Sequence, residues 1–174
     1  NLLYGKSHDY FYRRHCGDLI PQIAHPDDFM GGNYVVELRR PGQEQGRPLW
    51  QLFVFNTRND RHLPAEVLEW AGERTAAYRH EVPALCFMHR PLRHMRDAAS
   101  RGGIQGISYE SVACGPEDGS VGEGIKRMKT VQACFFGHDH LNNYWMDAEG
   151  IRYHASRKTL SLAYGADSAR RIRA

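Results

Sequence analysis

Two histidines stand one residue apart in Phe136-Gly137-His138-Asp139-His140, directly behind an apolar run. A second apolar run, residues 84–88, ends on His89-Arg90-Pro91. Neutral imidazole is the commonest metal ligand. In an extended segment, residues two apart point to the same side, so His138 and His140 can face one metal cluster. Gly137 allows the backbone to turn sharply where the strand stops, and Pro91 stiffens the chain after His89. A lone histidine at a strand end is usually a polar residue at a sheet edge. The pair after glycine, together with His89 behind a second strand, is what points to metal chemistry.

For His89 to meet His138, the two runs must lie side by side and parallel. The spacing predicts this. Residues 33–39 and 49–55 read as a hairpin around the turn signal 41–46. A helix follows from Pro64, which can take the first helical position, with Glu66 and Glu69 in its opening turns and an end near His80. Val67, Trp70, Ala71 and Tyr78 fall on one helical face, and Trp70 reads as packing rather than binding. Strand 49–55, this helix and strand 84–88 then make a βαβ unit, which implies parallel strands. Residues 91–101 read as helical, 102–124 as a long loop, 124–129 as a short helix and 131–136 as a buried strand. Segments 150–155 and 159–164 read as the last strands, antiparallel. Upstream, residues 2–4 read as a strand end and 10–20 as a short helix. Sites in open α/β sheets form beyond the carboxyl ends of strands. Three such ends carry ligand-capable residues: Gly5–Asp9, His89-Arg90 and Gly137–His140.

Composition sets the bounds. The 174 residues are 41% hydrophobic and 25% charged, ordinary for one globular domain with a real core. A net charge of +3 is too small to imply a nucleic-acid or membrane partner, and no run reaches transmembrane length. Ten histidines raise the prior for metal or acid–base chemistry. None of the four cysteines forms a C-x-x-C pair, which argues against a zinc ribbon. Cys86 and Cys134, inside apolar runs, read as buried free thiols, a feature of reducing intracellular compartments, but the sequence names no compartment. The chain starts on Asn1, next to what reads as a strand, and is expected to be a piece of a longer protein.

The sequence resembles the C-terminal half of the calcineurin-like metallophosphoesterases, most closely the plant and fungal branch related to purple acid phosphatases. FFGHDHLNNY at 135–144 and CFMHRPL at 86–92 carry the resemblance; GGNYVVEL, PLWQLFVFN, GISYES and a late AYG before an Arg-rich close extend it over most of residues 30–174. It implies an α/β fold, the C-terminal half of a four-layer αββα sandwich with mixed sheets, so that residues 1–174 form a single partial domain lacking its N-terminal half and first metal motifs. It implies a two-metal centre of Fe, Mn or Zn, with His89 and His138 on one ion and His140 on the other. It also implies a phosphate-ester substrate, hydrolysed by in-line attack.

The resemblance further implies an early D-x-H, a G-D element and then G-N-H-[D/E]. No D-x-H occurs, and residues 16–20 (CGDLI) mimic the second element without a strand before them. Gly5–Asp9 takes the third position, with Lys6-Ser7 where asparagine is expected. His8 would be the general acid and Asp9 its partner. Arg90, inside the H-x-P element, could bind a substrate phosphate bidentately or fill a vacated metal site with its own charge. Three functions follow. The first is a metal-dependent phosphoesterase that requires its N-terminal half. The second is a catalytically inactive relative kept as a structural subunit among assembly partners. The third, a nucleic-acid module, rests only on the arginine clusters near 39–40, 90–101 and 170–173.

Overall fold

The computed structural model describes residues 33–43, 45–57, 63–114 and 119–158. The segments expected at 2–4, 10–20 and 159–164 lie outside them. The described elements run β1 (Tyr34–Leu38), β2 (Trp50–Phe55), α1 (Ala65–Ala76), β3 (Ala84–Met88), α2 (Arg93–Ser100), β4 (Gln105–Ile107), α3 (Ser120–Arg127), β5 (Val131–Phe136), β6 (Asn143–Ala148) and β7 (Ile151–Ala155). Among the described residues the seven strands form one mixed sheet in the order β1-β2-β3-β5-β7-β6-β4.

The hairpin and the βαβ unit are as expected. β1 and β2 pair antiparallel, and β2, β3, β5 and β7 lie parallel in succession. Pro64 differs in detail. With ψ at 148° it sits outside the helix as its cap, and its carbonyl accepts from the Val67 and Leu68 amides. The helix ends at Ala76, and the chain reverses through Arg79 and His80, both left-handed. Trp70 packs edge-on against Phe53, with ring centroids 6.0 Å apart.

Two expectations need correction. Segment 102–124 is not all loop. It contains the edge strand β4, and α3 begins at Ser120, four residues before the expected start at 124. β4 escapes a reading by hydrophobic alternation because all three of its residues are exposed. The glycine at its centre, Gly106 (φ 118°), is demanded by space. A Cβ there would come within 2.4 Å of the Asn143 carbonyl oxygen and 2.8 Å of Tyr144 Cα. The second is an omission: residues 143–148, for which the sequence suggested no element, form β6. It pairs antiparallel with β7, which also runs parallel to β5.

Along β2, β3 and β5, alternate residues point inward: Phe53, Phe55, Cys86, Met88, Cys134 and Phe136 are buried. Together with Val67, Leu68 and Ala71 of α1, Met95 of α2 and Val121 and Ile125 of α3 they form one core. Cys86 and Cys134 face each other across paired strands, both free thiols. Burial, then the hydrogen-bonded partner thiol, pushes the Cys86 pKa up. The other side of the sheet is also apolar but only half-buried. Val54, Phe87, Phe135, His154 and Trp145 line up across five strands in register, with Phe87 stacked on Phe135 at 5.2 Å. A bulge between Ala84 and Leu85 lets β5 hold one extra residue, Gln132, before the two strands fall into step at Leu85 and Ala133.

Candidate metal-facing rim

The register of β3 and β5 ends with Met88 opposite Phe136, so His89 and Gly137 leave the sheet at the same rim. The Gly137 amide donates to the His89 carbonyl at 3.0 Å and extends the ladder by one bond. The sharp turn belongs to His138, whose φ is 67°; Gly137 is not in the left-handed region. Histidine tolerates that conformation better than most side chains. The turn swings the His138 ring to 5.1 Å from the His89 ring, centroid to centroid, tilted by 58°. Partial burial, then the His138, Arg90 and His140 charges, lower the His89 pKa against an opposing pull from Asp139. His89 is therefore biased toward the neutral, ligand-competent form.

Beneath the imidazoles lies a buried polar cluster. Asp139 is 2% exposed. Its Oδ1 lies 3.1 Å from His138 Nδ1, and its two oxygens accept from the Ala113 amide at 3.3 and 3.4 Å. Asn142, fully buried, donates from Nδ2 to Asp139 Oδ2 (3.2 Å) and to the Glu110 carbonyl (3.1 Å). Its Oδ1 accepts from the Glu110 amide at 3.1 Å. The Glu110 carboxylate in turn accepts from the Leu141 amide at 2.6 Å. Arg90 Nη1 donates to the Ala113 carbonyl at 3.2 Å. The stretch 110–113 is thus stitched to both strand ends.

The structure brings His89 and His138 together. His140 follows on the same turn, near enough to depress the His89 pKa, and its carbonyl accepts weakly from the Lys158 amide at 3.4 Å. Arg90 reaches toward the 110–113 stretch. His8 and Asp9 lie outside the described residues. The sequence reading missed Glu110 and Asn142. Their signal is faint, a buried asparagine one turn beyond the histidines, because the contacts that define them span 31 and 32 residues. Two imidazoles so placed suit adjacent positions on one ion. A two-ion centre needs more donors. Among the described residues no group of three or more His, Cys, Asp or Glu side chains converges to supply them.

No protein-family model matches the chain, and no curated protein matches it. Among solved structures, the crystal structure of a dimetal phosphatase from Danio rerio matches with a TM-score of 0.55 at 10% identity. The match covers 86% of this chain and 56% of that one, so this chain spans little more than half the length of the phosphatase. The fold resembles a metallophosphoesterase. In that metallophosphoesterase-like frame, β3 and β5 are adjacent parallel strands, and their carboxyl ends carry His89 and His138. Among the described residues, no helix is long and apolar enough to cross a membrane.

Proposed function

We propose that this chain is the C-terminal part of a metal-dependent phosphoesterase domain, with a phosphate ester as substrate. His89 and His138 would hold one transition-metal ion and His140 a second, Fe, Mn or Zn. The observation that carries this reading is the 5.1 Å approach of the two imidazoles at the carboxyl rim of parallel strands. The likeness to a dimetal phosphatase supports it. The finer kinship, with the purple-acid-phosphatase-related branch, rests on the FFGHDHLNNY and CFMHRPL strings. When bound, a metal pair supplies Lewis-acid polarisation of a phosphoryl oxygen and a nucleophile at neutral pH.

The chain's own residues would do the rest. His89, biased neutral, presents a lone pair. Arg90, whose Nη1 donates to the Ala113 carbonyl, would bind a phosphate oxygen of the substrate. His8 would protonate the leaving oxygen, with Asp9 orienting it. The remaining metal donors would come from the missing N-terminal half. Its place is the half-buried apolar side of the sheet, because parallel strands are normally covered on both faces.

The test is metal analysis and aryl phosphate hydrolysis on the protein carrying its N-terminal part. About two transition-metal ions per chain are expected, with hydrolysis falling to background in His138→Ala. Hydrolysis that survives this substitution overturns the assignment. A second reading has an observation of its own. Lys6-Ser7 stands at the expected asparagine, and the described residues supply no three-donor group. In that case the chain is an inactive subunit of a larger assembly, and the intact assembly would carry no transition metal at this rim.

A further inference from the structure

We propose that the amino-end rim of the sheet carries a further binding site, a basic pocket for a small phosphorylated molecule, built by Arg39, Arg47 and Arg79. It does not depend on the function proposed above. The topology gathers these residues. Arg39 directly follows β1, Arg47 comes just before β2, and Tyr78, Arg79 and Glu81 lie in the turn between α1 and β3. Because β1 runs antiparallel to β2, and β2 parallel to β3, the three segments meet at one rim. His89 and His138 leave the sheet at the other, roughly 17–20 Å away along strands of this length. At the meeting point is a surface cavity of about 360 Å³, within the range that holds small ligands. Three arginines line it against one carboxylate, Glu81.

Each arginine is set differently. Arg39 is held by a network. Its Nη2 donates to Glu37 Oε2 and to the Tyr78 hydroxyl, the latter at 3.1 Å. That hydroxyl donates to Glu37 at 3.2 Å, and fully buried Gln51 donates to the other Glu37 oxygen at 3.2 Å. A guanidinium fixed in this way is pre-organised for an anion. Arg47 pairs with Glu81, with side chains 60% and 55% exposed. An ion pair so exposed is worth little, so a competing anion can draw Arg47 from it. Arg79 has no ion-pair partner among the described residues. Its backbone is left-handed, and the turn is anchored by the His80 amide on the Thr75 carbonyl (3.1 Å) and by His80 Nδ1 at 3.1 Å from the Met128 carbonyl oxygen. Arg74, in the last turn of α1, offsets the negative end of that helix. Three guanidiniums against the carboxylates of Glu37 and Glu81 leave an excess of positive charge. Donors placed on one cavity by three chain segments suit a tetrahedral group, with oxygens in several directions, better than a planar carboxylate.

The test titrates inorganic pyrophosphate into the full chain with EDTA present, so that no metal takes part. In ¹H–¹⁵N spectra the amides of residues 45–47 and 77–81 should shift and saturate. Arg79→Gln and Arg47→Gln should each weaken binding about tenfold, the worth of one charge-assisted hydrogen bond. Glu81→Gln should tighten it, because Arg47 is released. Arg152→Gln, at an arginine paired with Asp147 far from the pocket, should leave it unchanged. All four substituted side chains are exposed, so the fold is not at stake. Malonate, a planar-group dianion, should bind more weakly than pyrophosphate. No saturable shift at these amides overturns the proposal, as do shifts confined to residues 88–90 and 137–140, or an equal loss in Arg152→Gln. Malonate binding as tightly as pyrophosphate overturns the phosphate assignment.

Discussion

Asn142 does more to hold the rim together than either histidine. Its side chain completes the hydrogen bonding of Glu110 as a neighbouring strand would, taking its amide and capping its carbonyl, and still reaches Asp139. Asn142→Ala strands these groups in a buried setting, where each unsatisfied one costs about 1–3 kcal/mol. We expect a loss of about 3 kcal/mol in urea unfolding, with early proteolysis near residues 108–113. A loss under about 1 kcal/mol, the net worth of one ordinary hydrogen bond, would show that the cluster is not a structural unit. At this scale the sequence is half legible. His89 and His138 stand out because an apolar run stops just before each, leaving a polar ring at a strand end. Glu110 and Asn142 do not, because a polar residue in a loop looks the same whether it faces water or a partner 32 residues away.

Elements were legible where burial imposes a pattern. β2, α1, β3 and β5 sit within a few residues of their expected places, because each carries an apolar face long enough to read. β4 offers three exposed residues and no such face. What fixes it is the close approach of its backbone to β6, visible only at Gly106. Gly106→Ala puts a methyl against the Asn143 carbonyl oxygen and forces a left-handed φ on alanine. We expect about 2 kcal/mol of strain, relieved by β4 lifting off β6. Amide exchange across β4, where Ile107 stands opposite Asn143, should then rise toward that of an open loop. Protection equal to wild type would contradict the pairing.

At the scale of the molecule, the sheet has one fully buried side and one half-buried side, and mutations should report the difference. Phe53→Ala, on the helix-covered side, should cost about 3–5 kcal/mol. Phe87→Ala, stacked on Phe135 across the other side, should cost roughly half as much in this chain alone. The gap should close in the protein that carries the proposed N-terminal half. Equal costs in the chain alone would mean that the second side is already covered. The likeness to the Danio rerio phosphatase extends over about half of that protein.

The extra residue at Gln132 acts as a phase setting for the chemistry at the opposite end of the strand. Without that offset, Gln132 would sit across from Leu85 and every later position of β5 would slip by one against β3. Gly137 would then emerge out of step with His89, and the two rings would leave the sheet on mismatched sides. The alignment of the rim is therefore decided at the foot of the strand, by a residue with no chemistry of its own. Gaining or losing one residue there would detune the pair of imidazoles while leaving the motif that announces them untouched.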